Sequence, residues 1–525
     1  MKRMTFAPHT LLKRFALTGC IPAIVLFAIA VGRGVEPDRI EPRSRPVPPA
    51  AKTLTSTSVS PFRYIGVSSC SASNCHGGAR RAAGPQFASY LTWWQKDAAH
   101  KGAYATLTND KSSEIIKNLH RHRDGQPLPA HKDASCLACH AVNAVGGGGL
   151  EALAADHTRR DSNALAADAS RFHVGDGVQC EACHGPAEKW VALHTTAAWR
   201  DPQQWTAERK LKETGFRETK GLYHRARMCA ECHVGGVDRD MNHDMIAAGH
   251  PRLDFEFATF HARLPSHWDV RKDQRATTHL AEDADPVDLD AQFEARAWML
   301  GQIAAADAAL ELLTHRARDD GAVWPEFSEY GCFACHHDLK YKGWRTERKS
   351  DGRYPWGTWY FSMLPVIAET PNLSGLAEAL PLKDQLTRTM GKTYPNRGDT
   401  RAQARRLRAV LRQTALEFEQ RIDGPQELDQ LWSLASSQTV RVDKHDWEYA
   451  AQLYLSLVAL HYGSPELKTN PDTQAEFYKT LSEIRRTLLF PASNGTSSSE
   501  SPAKWRETKR DLEAWNQLRS PLTAP

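Results

Sequence analysis

Apolar residues recur at helical spacing in several long stretches of the second half of the chain and in few places before it. From Asp288 to Ala317, the residues Phe293, Ala297, Leu300, Ile303, Ala304, Ala308, Leu310 and Leu313 fall at intervals close to a helical turn, which predicts one long helix. Asp399–Ile422 repeats the pattern through Ala404, Leu407, Val410, Leu411, Ala415, Phe418 and Ile422. Asp443–Tyr462 does so through Trp447, Ala450, Ala451, Tyr454, Leu457, Val458 and His461, and Thr473–Phe490 continues it. Together these predict a C-terminal helical bundle over residues 355–490. A tail, 491–525, follows the Ser-rich break Ala492–Pro502 and carries one more short amphipathic stretch, Ala503–Leu518.

The first part reads differently. Lys2, Arg3, Lys13 and Arg14 precede an apolar run from Phe15 to Val31, so residues 1–35 read as a signal peptide or an N-terminal membrane anchor. The run is short for a full span and contains Pro22, and both readings stay open. Leu17-Thr18-Gly19-Cys20 resembles a lipoprotein cleavage site, but the apolar run mostly follows Cys20 where it should precede it. Residues 36–60, rich in Pro, Arg, Ser and Thr as in Glu41-Pro42-Arg43-Ser44-Arg45-Pro46, form a solvated linker. Residues 61–345 have many Gly, Asp and His, few long apolar runs, a glycine loop at Gly146–Gly149 and no repeat of fixed period. With 525 residues, the chain has length for two or three domains, and its fold class is mainly α.

Cysteine changes the picture. Ten of the eleven cysteines fall in five pairs, each followed directly by histidine: Cys70 and Cys75 with His76, Cys136 and Cys139 with His140, Cys180 and Cys183 with His184, Cys229 and Cys232 with His233, Cys332 and Cys335 with His336. Four are Cys-x-x-Cys-His, of which roughly 0.01 are expected by chance in such a chain; the first has four intervening residues. Two thiols one turn apart reach the two vinyl groups of a porphyrin edge, and the adjacent imidazole swings beneath the ring to ligate iron. Zinc would need the pairs to combine two by two, against which stand their odd number and the trailing histidine. Five disulfides across such short loops would be strained redox centres. The motifs therefore point to five covalently bound haem c groups, which also explains the sparse apolar runs of 61–345: porphyrin would be the core of a multihaem cytochrome c domain.

Each iron has a sixth position to fill, and its occupant sets potential and reactivity. Of the 23 histidines, five trail the cysteine pairs and His9 lies in the leader, so the remaining 17 suffice to cap every iron. His100, within the helical stretch Trp93–Tyr104, His194, ten residues after His184, and His243 and His250, soon after the fourth motif, are candidate distal ligands. His131, His173, His224 and His337 stand near motifs and form a second set. The alternative for each is an exposed imidazole or one bonded to a haem propionate.

The segments Cys180-Glu181-Ala182-Cys183-His184-Gly185-Pro186, Cys229–Gly235, Asn242-His243-Asp244-Met245 with Gly249-His250-Pro251, and Cys332–Leu339 resemble the cytochrome c554 family over about residues 62–345. The resemblance implies closely stacked haems, mostly with two histidine ligands, passing electrons between redox partner proteins. Related haem arrangements occur in the enzymes hydroxylamine oxidoreductase and pentahaem nitrite reductase, but no Cys-x-x-Cys-Lys site of the latter is present. Five motifs and a long C-terminal region, against four and none in that cytochrome, leave partner and direction of flow open.

Two readings of function follow. One is an exported periplasmic electron carrier. The other is an oxidoreductase acting on a small nitrogen or sulfur compound at one five-coordinate haem, for which the longer loop before His76 makes the first haem a candidate. With either, the C-terminal region could dock on a membrane electron-transfer complex. Nucleic acid is not expected as a partner: Lys2, Arg3, Lys13 and Arg14 supply four of the formal charges of +5, and haem propionates would add negative charge.

Overall fold

The computed structural model describes residues 62–72, 75–77, 94–123, 125–142, 172–268, 289–318, 323–332, 335, 353–370, 374–420, 425–438, 447–463 and 471–488. The leader, the linker, the Gly146–Gly149 loop, Ala503–Leu518, His336 and His337 lie outside them. The fold is mainly α. Strand pairing among the described residues is limited to the small antiparallel hairpin β1 (His122–Arg123) with β2 (Gln126–Pro127) and two isolated bridges.

In the haem-motif half the helices are short, and local caps start them. Asn109 caps α1 (Asp110–Asn118) by accepting from the Ser112 amide at 2.9 Å. Asp133 caps α2 (Ala134–His140), which carries the second motif, by accepting from the Ser135 amide at 2.9 Å. The third motif is α3 (Cys180–His184), stopped by Gly185 at φ 80°. The fourth closes α4 (Leu222–His233). Asn242 caps α5 (His243–Ala247), and Glu256 caps α6 (Phe257–His261). Among the described residues around the first three motifs, two small apolar clusters form, one about Leu107, Ile116 and Leu137, the other about Ala187, Trp190 and Trp199. Side chains alone make a meagre core there, as expected where porphyrin fills the space.

The long helix expected from the apolar spacing is α7, Leu289–Arg316. It packs on α4 and α6 on one side, and on α9 (Arg397–Glu419) and α11 (Trp447–Gly463) on the other. The sequence stripe suggested one buried face. Instead, Ala295, Arg296, Trp298, Met299, Gln302, Ala305 and Ala306 are buried as well, because contacts with those four helices leave the middle of α7 no solvent face. Gly301 permits the closest approach: a Cβ there would lie 2.6 Å from Phe257 Cβ.

The remaining long helices are α8 (Ser374–Met390), α9, α10 (Pro425–Ser437), α11 and α12 (Pro471–Leu488), with α8 on α9, α10 on α11 and α11 on α12. One apolar cluster runs unbroken from Leu222 in α4 through α7 to Leu488 in α12. The fully buried Asp307 of α7 ties this spine to its neighbours, accepting from Tyr223 Oη at 2.9 Å and from Arg408 Nε at 2.6 Å and pairing with Arg227 Nε at 2.8 Å.

Candidate haem centre

The cysteine pairs are presented by turns that the backbone closes locally. In the first motif the His76 amide donates to the Cys70 carbonyl at 3.1 Å, so the longer loop still brings its ends together. In the fifth the Cys335 amide donates to the Cys332 carbonyl at 3.2 Å. None of the ten paired cysteines forms a disulfide, and among the described residues no three His, Cys, Asp or Glu side chains converge as a metal ion held by protein alone requires. The turns abut one another: the Cys70 thiol lies beside that of Cys180, and Cys139 beside Cys232. These sulfur atoms are the ones that thioether bonds would occupy. Burial pushes the Cys136 and Cys183 thiols up to about 11.

Four trailing histidines each face a second imidazole. Ring centroids are 6.2 Å apart for His76 and His194, 6.3 Å for His140 and His250, 6.4 Å for His184 and His267, and 6.1 Å for His233 and His100. A metal bond of about 2 Å to each ring nitrogen, plus roughly 1 Å from nitrogen to centroid on both sides, spans about 6 Å. The four gaps therefore fit an iron held between two imidazoles.

The hydrogen bonds fix which nitrogen is free. His194 Nδ1 lies 2.6 Å from the Val191 carbonyl, His250 Nδ1 2.8 Å from that of Pro251, His140 Nδ1 2.9 Å from that of Ala103, and His267 Nδ1 3.4 Å from that of Pro265. A carbonyl only accepts, so Nδ1 carries the proton in each and Nε2 is left to coordinate. His100 Nδ1 meets the buried Asp97 carboxylate at 2.6 Å, a stronger orienting contact. Burial lowers His184 and His233 to about 4 and His267 to about 3, and it also lowers His76 and His250. All five stay neutral, the form that binds iron.

Of the four leading distal candidates, His100, His194 and His250 each sit opposite a trailing histidine. His243 does not meet a described one: it opens α5, its amide donates to Glu326 at 2.7 Å, and its ring packs on Phe327 near the fifth cysteine pair. His131 lies edge-on to Tyr104, His173 is exposed, and His224 points from α4 toward Glu419 at 3.4 Å. None of these three faces a described trailing histidine. His267 was not singled out by the sequence. It stands far from the third motif along the chain, between Pro265 and Trp268, with no spacing to mark it.

Paired thiols beside an imidazole, with a second imidazole across an iron-sized gap, define a c-type cytochrome. Residues 70–185, holding the first three motifs, match the family model described as cytochrome c554 and c-prime. That match supports covalently bound haem c and a role in electron transfer. No curated protein and no solved structure matches the chain.

Proposed function

We propose that this chain is an exported pentahaem cytochrome that relays electrons, four of its haems being held between His76 and His194, His140 and His250, His184 and His267, and His233 and His100. The observation that carries the reading is the recurrence of one imidazole separation, 6.1 to 6.4 Å, at four independent motifs. Haem supplies a one-electron centre that changes oxidation state with little rearrangement when both axial positions are filled. The chain's own residues attach it through two thiols, orient both imidazoles through their Nδ1 partners and exclude water by burial. The contacts of Cys70 with Cys180 and of Cys139 with Cys232 support a first-to-third and a second-to-fourth adjacency. The position of His194 supports a closed first haem despite its longer loop, which weighs against an open catalytic face there. The fifth haem sits on Cys332, Cys335 and His336. The basic and apolar N-terminal segment supports export to the periplasm, with the protein soluble or anchored; no helix among the described residues is long and apolar enough to cross a membrane. Redox proteins, including a membrane electron-transfer complex, are the partners.

The test is the natively exported protein. Haem quantification against protein, together with spectra of both oxidation states, is expected to return five haems per chain and low-spin bands. A colourless polypeptide with the mass of its amino acids alone would refute the reading.

A further inference from the structure

We infer that two glutamates inside the haem-attachment turns, Glu181 and Glu231, are positioning residues that hold neighbouring turns in register and thereby set how closely successive haems approach; the inference rests on the haem reading above. In a Cys-x-x-Cys-His turn the intervening residues only have to span the gap between the thiols. Here two of them reach outward to other turns.

Glu181, 1% exposed, lies between Cys180 and Cys183. Its carboxylate accepts from the Ile65 amide at 3.0 Å, from the Gly66 amide at 2.7 Å and from the Ala187 amide at 2.7 Å. Ile65 and Gly66 lead directly into the short helical turn Val67–Ser69 that delivers Cys70. A single buried carboxylate thus ties the first motif to the third, more than a hundred residues away, and the Cys70 and Cys180 sulfurs meet beside it. The exposed pair of Arg63 with Glu188, at 2.8 Å, is a second tie on the same segment.

Glu231, between Cys229 and Cys232, does the same for the others through two arginines. Arg239 pairs with it at 3.0 Å and turns its Nε to the carbonyl of Ala138, inside the second motif, at 2.9 Å. Arg217 also binds Glu231 through both terminal nitrogens, while its backbone amide donates to the His184 carbonyl at 3.0 Å. The fourth turn is thereby fastened to the second and to the third, and Cys139 meets Cys232. Charge-assisted, multidentate contacts of this kind fix geometry more sharply than apolar packing does.

The test uses the haem-loaded protein with Glu181→Gln, which presents an amide donor to backbone donors, and Arg239→Lys, which keeps the charge but loses the fork. Inter-haem electron exchange is followed after flash reduction, and magnetic coupling between ferric haems by paramagnetic resonance. The first haem is recognised by its near-parallel ligand rings, 28° apart, against 77° to 85° in the others. With haem content unchanged, Glu181→Gln is expected to slow exchange in the first and third pair roughly tenfold, a modest loss for displacement of reacting groups by a fraction of an ångström. Arg239→Lys is expected to do so in the second and fourth pair, each variant leaving the other pair as in wild type. Full haem content with wild-type rates and coupling in both variants would overturn the inference, as would lower thermal stability without any pair-specific change. Should Glu181→Gln fail to mature, Glu181→Asp is held to the same pair-specific outcome. Failure of the haem reading itself would show separately, as wild-type protein without haem.

Discussion

Replacing His267 with alanine removes one imidazole opposite His184, 6.4 Å away centroid to centroid, and nothing described nearby can take its place. His261, an imidazole neighbouring His267, is held by Arg225 at 3.1 Å and lies against Trp268 at 4.3 Å between centroids. Besides the Phe216 ring, the groups that act on His184 are Arg225, Glu218, which is paired with Lys210 at 3.6 Å, and His76 and His194, which face each other across the first haem site. The vacated volume is that of an imidazole, ample for a diatomic ligand or water. One haem in five should therefore become five-coordinate or water-bound, altering about one fifth of the Soret intensity and adding a high-spin resonance. Carbon monoxide should bind the reduced variant once per chain and the reduced wild type at none of the four capped haems, and added imidazole should restore the low-spin spectrum. A His267→Ala protein that stays fully low-spin and takes up no more carbon monoxide than wild type would break the pairing of His184 with His267.

Asp307→Ala should cost about 2–4 kcal/mol: it strands Tyr223 Oη and two part-buried guanidinium groups, though Arg227 and Arg408 keep Glu311 at 2.5 and 2.9 Å. Denaturant unfolding of the haem-loaded protein measures this, and a loss under about 1 kcal/mol would contradict the role given to α7 as a shared spine. Asp97→Asn weakens the acceptor on His100 Nδ1, makes that imidazole a poorer donor to iron and should raise one haem midpoint potential; spectroelectrochemistry leaving every midpoint in place would refute it. Stability should also decline as pH falls below about 6.5, where unfolded imidazoles take up protons. The folded His184 and His233 refuse them down to about 4, and His267 down to about 3. Above that window the three histidines contribute no pH dependence, so a denaturation midpoint that stays flat or rises between pH 7 and 4.5 would count against their buried, neutral state.

The chain alone determined what is local. The cysteine pairs and their trailing histidines stand out because thioether formation and proximal ligation, as proposed for them, need a few consecutive residues in one order. The long helices are legible because a buried face imposes its period; α7, α9, α11 and α12 lie within a few residues of the stretches marked by apolar spacing. Which imidazole faces which motif was decided only in three dimensions. His194 crosses to the first motif, His250 to the second, His267 to the third and His100 to the fourth, because the opposite side of a porphyrin is reached through space from whatever segment folds there. His224 stands on the same helix as the fourth motif and still points at Glu419, since sequence proximity does not orient a side chain across a ring. The two-sided burial of α7 and the reach of Glu181 and Glu231 into other turns were invisible for the same reason: each depends on a partner brought close by the fold, and a linear pattern carries no record of that partner.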